Sequence, residues 1–326
     1  MIGSSRVSQP ATGPVLAADL GGTKITAGLV NGGGEVLATR SVLTGAHQGS
    51  DAVISTLVEV LLAVRADAAA QTHLEAPSAV GIGSAGVVDS ATGRIVSATD
   101  AIPGWAGTDL GTRVSEALDL PARVLNDVHA HALGEATAGA GAGRASLLLV
   151  AVGTGIGGGM VRGGLIDAGA RGLAGHVGHV PMPEAAGVGC TCGRTGHVEG
   201  LASGPGMLAA YLRAGGQAAD TREVVARAEA GEDLAAGVLR TCAIAVGRLI
   251  GGLLNVMDPD VAVLTGGMAG AGPLWWQGVH DGVAHEAIDL VAGTELLPAM
   301  AGPDAALLGA AKFGAVPLTA TREDPR

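Results

Sequence analysis

The sequence predicts an α/β protein built from two related halves, and three observations carry that expectation. An apolar strand, a glycine turn and a second apolar strand open the chain at Val15 to Asp19, Gly21-Gly22 and Ile25 to Val30. The plan recurs at Ser146 to Val152, with a glycine cluster from Gly153 to Gly159 and a following strand read from Met160 to Arg162. Helical patterns alternate with strands instead of following them as a block. A chain of 326 residues is long enough for two lobes, each with a core.

Taken in order, Glu35 to Val42 alternates beyond the Gly32 to Gly34 turn and completes an antiparallel trio. Asp51 to Ala70 has helical periodicity, Ser78 to Gly83 is strand-like, and Leu110 to Leu118 is helical before Pro121. Arg123 to Leu125 is a short strand feeding a helix at Asp127. Gly187 to Gly200 has no period, as suits a metal-organised loop. Helices are expected at Gly204 to Ala214, Leu234 to Met257 and Ala305 to Phe313, with a strand at Val261 to Leu264.

Composition excludes several classes. With 19 Lys and Arg against 30 Asp and Glu, the net charge of -11 disfavours an extended nucleic-acid surface. Met1 to Pro14 is polar where a signal peptide needs an apolar run. The most apolar stretch, Ala243 to Met257, is broken by Arg248 and Asn255 and falls short of the ~20 residues a span needs. A soluble, cytoplasmic protein is expected. Of three cysteines, Cys190 and Cys192 are separated by one residue, which suits a metal in a reducing compartment better than a disulfide scaffold.

Asp19-Leu20-Gly21-Gly22-Thr23-Lys24 reads either as a plain hairpin turn or as a phosphate loop, with backbone N–H groups and the Thr23 and Lys24 side chains as donors and Asp19 facing hydrated Mg²⁺. Thr154, Gly155 and Gly157 form a second such loop, and Gly266-Gly267 a third, placed for an adenosine. No Walker A sequence is present, and neither of the first two loops opens a helix as a Rossmann fingerprint does. Asp127 reads equally as a helix cap or as a carboxylate that accepts a hydroxyl proton during phosphoryl transfer. His179, Cys190, Cys192 and His197 are a donor set for tetrahedral structural Zn²⁺, the alternative being two thiols packed in a loop. Cys242 reads as a core residue. His129 and His131 read as surface or core residues, and His47 and His73 carry no signal.

These motifs, in this order, resemble the ROK family of sugar kinases and repressors within the hexokinase, Hsp70 and actin superfamily. The resemblance implies two related actin/hexokinase-like domains with mixed sheets and an interdomain cleft: a smaller one over 14–125 plus about 304–316, a larger one over 126–303, and disordered tails at 1–13 and 317–326. It implies ATP, Mg²⁺, structural Zn²⁺, a small-molecule sugar substrate and a homodimer, with neither nucleic acid nor membrane as a partner. By resemblance Asp127 is the base for a 6-hydroxyl, Asn126 a sugar ligand, and Glu199 an acceptor from sugar hydroxyls. Ser84 and Gly86, with Ile102 to Trp105, resemble sugar-cleft segments, Ala101 standing where asparagine is frequent.

Two departures stand out. His197 occupies the place of a usual third cysteine, and His176, in Gly175-His176-Val177-Gly178-His179, the place of a usual glutamate near His179, itself a zinc and sugar ligand by resemblance. A neutral imidazole offers one donor and one acceptor where a carboxylate only accepts. The segments Gly172 to His179 and Val198 to Gly204 resemble bacterial N-acetylmannosamine kinases, with glucokinase and N-acetylglucosamine kinase as alternatives. A sugar-responsive transcriptional repressor is a remoter reading, because only 18 residues precede Asp19, too few for a helix-turn-helix. A non-catalytic sugar-binding protein is the other.

Overall fold

The computed structural model describes residues 13–70 and 74–316, so the expected tails, Gly13 apart, and His73 lie outside the described residues. β1 (Val15–Leu20) pairs antiparallel with β2 (Lys24–Val30), which pairs antiparallel with β3 (Val36–Leu43). Helix α1 (Ser50–Ala69) repeats Val53, Leu57, Val60, Leu61 and Val64 at helical spacing, and this stripe shares one core cluster with Leu16, Ala18 and Leu20 of β1. β4 (Ala79–Ser84) then runs parallel to β1. A small hairpin, β5 (Val87–Asp89) with β6 (Arg94–Ser97), precedes α2 (Leu110–Leu118), which is capped by Asp109 accepting from the Thr112 amide. β7 (Ala122–Asn126) pairs parallel with β4 and completes a five-stranded sheet of order β3-β2-β1-β4-β7. It leads directly into α3 (Asp127–Ala138).

The second half repeats this pairing plan strand for strand. β8 (Ser146–Val152), β9 (Ile156–Arg162) and β10 (Leu165–Ile166) form an antiparallel trio. β11 (Val261–Thr265) joins parallel to β8, and β12 (Glu295–Pro298) parallel to β11, giving the order β10-β9-β8-β11-β12. Between β10 and β11 lie α4 (Val198–Ala202), α5 (Gly204–Arg213), α6 (Thr221–Glu229) and α7 (Asp233–Met257). α8 (Pro273–Glu286) packs on α7, and α9 (Ala305–Gly314) returns to the first half. α7 is long and apolar enough by length and composition to cross a membrane, but 56% of that window is buried, with Leu239, Cys242, Val246 and Ile250 in one core cluster.

Two corrections follow. The first concerns Gly157, expected in a phosphate turn: β9 begins at Ile156, and Gly157 sits inside it opposite Ala151. The seven-residue β8 recruits a partner of equal length, which draws the later glycines into the ladder and leaves only Gly153 to Gly155 as the turn. The second concerns the domain boundary. The chain divides into one unit of residues 13–142, 168–173 and 301–316 and another of 143–167 and 174–300, not at 125/126. Helix α3 belongs with the first sheet because it crosses α9 at van der Waals distance: a Cβ at Gly134 would run into the Ala305 carbonyl, and one at Gly309 into the Ala130 carbonyl.

Candidate active site

In the first unit, β1, β4 and β7 are parallel and in register, so Leu20 lies beside Ser84, and Ser84 beside Asn126. Three segments far apart in sequence therefore reach the carboxyl end of one sheet together, where open α/β sheets bind ligands. Asn126 caps α3: its Oδ1 accepts from the Val128 and His129 amides at 2.9 and 3.3 Å. Its Nδ2 donates to the Gly86 carbonyl at 3.0 Å and to Asp127 Oδ1 at 2.8 Å. The capping role left open for Asp127 is thus filled by its neighbour.

Asp127 is partly buried, and its Oδ1 also accepts from its neighbour's Val128 amide at 2.9 Å. Both of these bonds fall on Oδ1, which leaves Oδ2 to accept a proton. Desolvation pushes the Asp127 carboxyl above the ordinary range, and the nearby charge of Asp19 adds to this. The Val128 amide, His131 and Asn126 pull it back. Burial raises Asp19 in the same way, against His131 and then Lys24. His131, one helical turn beyond Asp127, is therefore electrostatically linked to both carboxylates, a position visible in its i+4 spacing but obscured by reading it with His129, which is buried in the core.

The β1–β2 turn leaves Gly22, Thr23 and Lys24 exposed. It is held by the buried Thr44, whose hydroxyl donates to the Gly21 carbonyl at 2.7 Å and whose amide donates to the Thr23 carbonyl at 3.0 Å. Ser84 and Asn126, expected as sugar ligands, are both hydrogen-bonded within the first unit. Ser84 is fully buried, and its Oγ donates to the Ala85 carbonyl and accepts from the Trp105 indole at 3.3 Å. Asn126 has all four of its hydrogen-bonding positions taken within the protein. Gly86 contributes its carbonyl to Asn126, not to an open face.

In the second unit, β8 and β11 are parallel, with Ala151 beside Thr265, so the Gly153–Gly155 and Gly266–Gly267 turns emerge at the same sheet end. Both line a cavity of ≈ 660 Å³ with Thr154, Gly267, Asp220 and Arg222 around it, a size typical of small-molecule sites. The start of α5 also borders it, Ser203 Oγ accepting from the Gly206 amide at 3.2 Å.

The metal loop folds as a tight hairpin, with bridges between Gly189 and Thr195 and between Pro181 and His197. Gly193 (φ 83°) and Gly196 (φ 85°) occupy left-handed positions that let it turn. The donor atoms of His179, Cys190, Cys192 and His197 all lie within 4.8 Å of one another. Cys190 Sγ is 3.6 Å from His179 Nδ1, and Cys192 Sγ is 3.3 Å from His197 Nδ1. A tetrahedral Zn²⁺ with ordinary Zn–S and Zn–N bonds requires an S···N edge of about 3.6 Å, close to these two separations, so the two thiols and two imidazoles, His197 included, are a donor set that suits that ion. The Arg194 backbone amide draws the Cys192 thiol down, toward thiolate, whereas burial raises Cys190. His176 stacks on His179, ring centroids 6.2 Å apart. Glu199, in the first turn of α4, accepts from the Ile156 amide at 2.9 Å and from the Thr191 hydroxyl at 2.8 Å.

The N-acetylmannosamine kinase of Escherichia coli O139:H28 is 33% identical over 301 residues, covering 91% of this chain and 96% of that protein. The glucokinase of Thermotoga maritima is 30% identical over 315 residues, covering 92% and 96%. The ROK hexokinase structure from Thermus thermophilus superposes with a TM-score of 0.82 at 32% identity, covering 92% of this chain and 97% of that one. The ROK family model matches residues 15–314, from the first residue of β1 to the last of α9, and the chain belongs to the ROK family.

Proposed function

We propose that the chain is an ATP-dependent sugar kinase that phosphorylates the 6-hydroxyl of a hexose, with N-acetylmannosamine as the first candidate. The observation that carries this reading is Asp127: a carboxylate at a sheet end, one oxygen held by the Asn126 amide and the Val128 N–H, the other available as a base. Asp127 Oδ2 takes the proton of the sugar hydroxyl as its oxygen attacks the γ-phosphorus and ADP leaves. Thr154 and the Gly153–Gly155 and Gly266–Gly267 turns hold the nucleotide in the second unit's cavity. Magnesium neutralises charge on the phosphate oxygens when bound, and Asp19 is the carboxylate that would hold its hydration shell. Zinc is assigned to His179, Cys190, Cys192 and His197 as a structural ion.

The relatives named above include an N-acetylmannosamine kinase and a glucokinase, and His176 favours the former sugar for this chain. An imidazole can donate toward an acyl carbonyl, whereas a glutamate there would meet it acceptor to acceptor. A coupled assay with ATP and Mg²⁺ against N-acetylmannosamine, N-acetylglucosamine, glucose and mannose tests both levels. Highest kcat/KM on N-acetylmannosamine is expected. A clear glucose preference overturns the choice of sugar, and turnover of none overturns the kinase. His176→Glu is expected to shift the glucose to N-acetylmannosamine ratio of kcat/KM about tenfold toward glucose.

The pH dependence follows from the same carboxylate. Because burial raises Asp127, its base form is lost as pH falls through a value above the ordinary ~4 of an aspartate. The acid limb of kcat/KM is expected at correspondingly higher pH. His131→Ala removes a group that draws Asp127 and Asp19 down, so the limb moves further up, against the remaining Asp19, Asn126 and Val128 contributions. A pH profile of the variant that superimposes on the wild type contradicts this.

A further inference from the structure

Glu199 is held at both carboxylate oxygens by different parts of the second unit. Oε2 accepts from the Ile156 backbone amide, at the exit of the Gly153–Gly155 turn. Oε1 accepts from Thr191 Oγ1 at 2.8 Å, and Cys190 Sγ lies 3.9 Å from the same oxygen. One fixed oxygen leaves a carboxylate free to swing about it; two fix its plane. The cysteine cannot share the second task in the metal-bound state, because a coordinated thiolate has no proton to donate. The hydroxyl between Cys190 and Cys192 is then the loop's donor to Glu199, and its backbone is pinned on both sides by the two thiolates.

We infer that Thr191 is a positioning residue for the sugar, converting the fixed geometry of the metal loop into the orientation of Glu199. The assignment rests on the reading of Glu199 as the acceptor from sugar hydroxyls. Thr191 touches no reacting atom in this scheme. It acts on sugar affinity through Glu199 and leaves the nucleotide turns alone, since the Ile156 bond to Oε2 persists without it. The chemistry needs a hydroxyl at this position and nothing more, so serine satisfies it and valine, of the same shape, does not.

Steady-state kinetics on the full chain, with zinc content and binding of a non-hydrolysable ATP analogue measured on the same preparations, tests the assignment. Thr191→Val is expected to raise the sugar KM about tenfold, the loss of one hydrogen bond to a charged group. Its kcat, zinc content and nucleotide affinity are expected within about twofold of wild type, and Thr191→Ser restores the sugar KM. In a Glu199→Ala background, Thr191→Val adds nothing. An unchanged sugar KM in Thr191→Val, with a raised one in Glu199→Ala, overturns the role of Thr191 alone. An unchanged sugar KM in Glu199→Ala overturns the reading of Glu199 and the inference with it. Loss of zinc from Thr191→Val also overturns it, because the hydroxyl then supports the loop and not the carboxylate.

Discussion

Asp127→Asn is expected to lower kcat by about 10²–10⁴-fold, the usual contribution of a positioned general base, with the fold intact. The substitution is nearly isosteric, and the environment favours one orientation of the new amide. Its oxygen takes the place of Oδ1, where the Val128 N–H and Asn126 Nδ2 both donate. Its nitrogen then occupies the place of Oδ2, the position from which, in the proposed reaction, the native residue accepts the hydroxyl proton. The variant therefore keeps the bonds that organise the start of α3 and loses the one capacity the reaction uses. Helix capping is unaffected because Asn126 performs it. Removal of a carboxylate whose charged form is disfavoured by burial and by Asp19 further argues against destabilisation. Initial rates with saturating sugar and ATP, beside thermal unfolding and ATP-analogue binding, check this. Retention of most of the wild-type kcat in a folded variant removes Asp127 from the chemistry.

Much of the architecture is legible because period and punctuation agree. Leu110–Leu118 and Ser146–Val152 have the bounds the apolar pattern predicts, since each is closed by turn residues and each buries one clean face or run. The elements that escape the pattern do so for a physical reason. α8 buries Trp275, Val279 and Val283 among Gly278 and Gly282, and its contact with α7 is a backbone approach at Gly247. The stripe Trp275, Val279 and Val283 is thus interrupted by the glycines that let the two backbones meet, and glycines inside a helical pattern read as turn signals. α6 is short and charged, announced only by its Asp220 cap accepting from the Glu223 amide at 2.9 Å. The first residues of β9, Ile156 to Gly159, escape the pattern that shows Met160 to Arg162, because glycines mark turns and close-packed strands alike, and only pairing with β8 separates the two.

The site is legible at the level of segments and less so at the level of single groups. Order along the chain brings Asp19, Ser84 and Asn126-Asp127 to notice, and sheet register explains why they belong together. Sequence does not reveal that Asn126 spends its hydrogen bonds on the helix, Gly86 and Asp127, so that it orients the carboxylate proposed as the base. Nor does it reveal that Ser84 faces the Trp105 indole inside the protein. The supporting groups Thr44, His131 and Thr191 carry no motif. They are ordinary residues whose partners lie 23, 4 and 8 positions away, and apart from the i+4 spacing of His131 only the folded chain supplies those partners.

Removal of the metal is expected to raise the sugar KM about 100-fold, the combined loss of two ordered contacts of about tenfold each, while nucleotide binding survives. The four donors span two segments: His179, at the end of the short turn that begins after His176, and the hairpin carrying Cys190, Cys192 and His197. His197 immediately precedes α4, which carries Glu199. An ion held by all four therefore fixes His176 and Glu199 relative to each other, and its loss releases at once both groups proposed to meet the sugar. The unit as a whole remains folded without it, because Val198, Leu201 and Ala185 sit in the core cluster, and Arg248 ties α7 to Glu184 and Glu286 at 2.8 and 2.9 Å. The cavity proposed for the nucleotide is lined by none of the donors. Protein purified without chelator should contain one zinc per chain by elemental analysis. Chelation, or Cys190→Ser, should raise the sugar KM with ATP-analogue affinity unchanged, and zinc should restore the chelated sample. A chain that carries no zinc, or one whose sugar KM is indifferent to its removal, contradicts the assignment and leaves the cysteines as packed thiols.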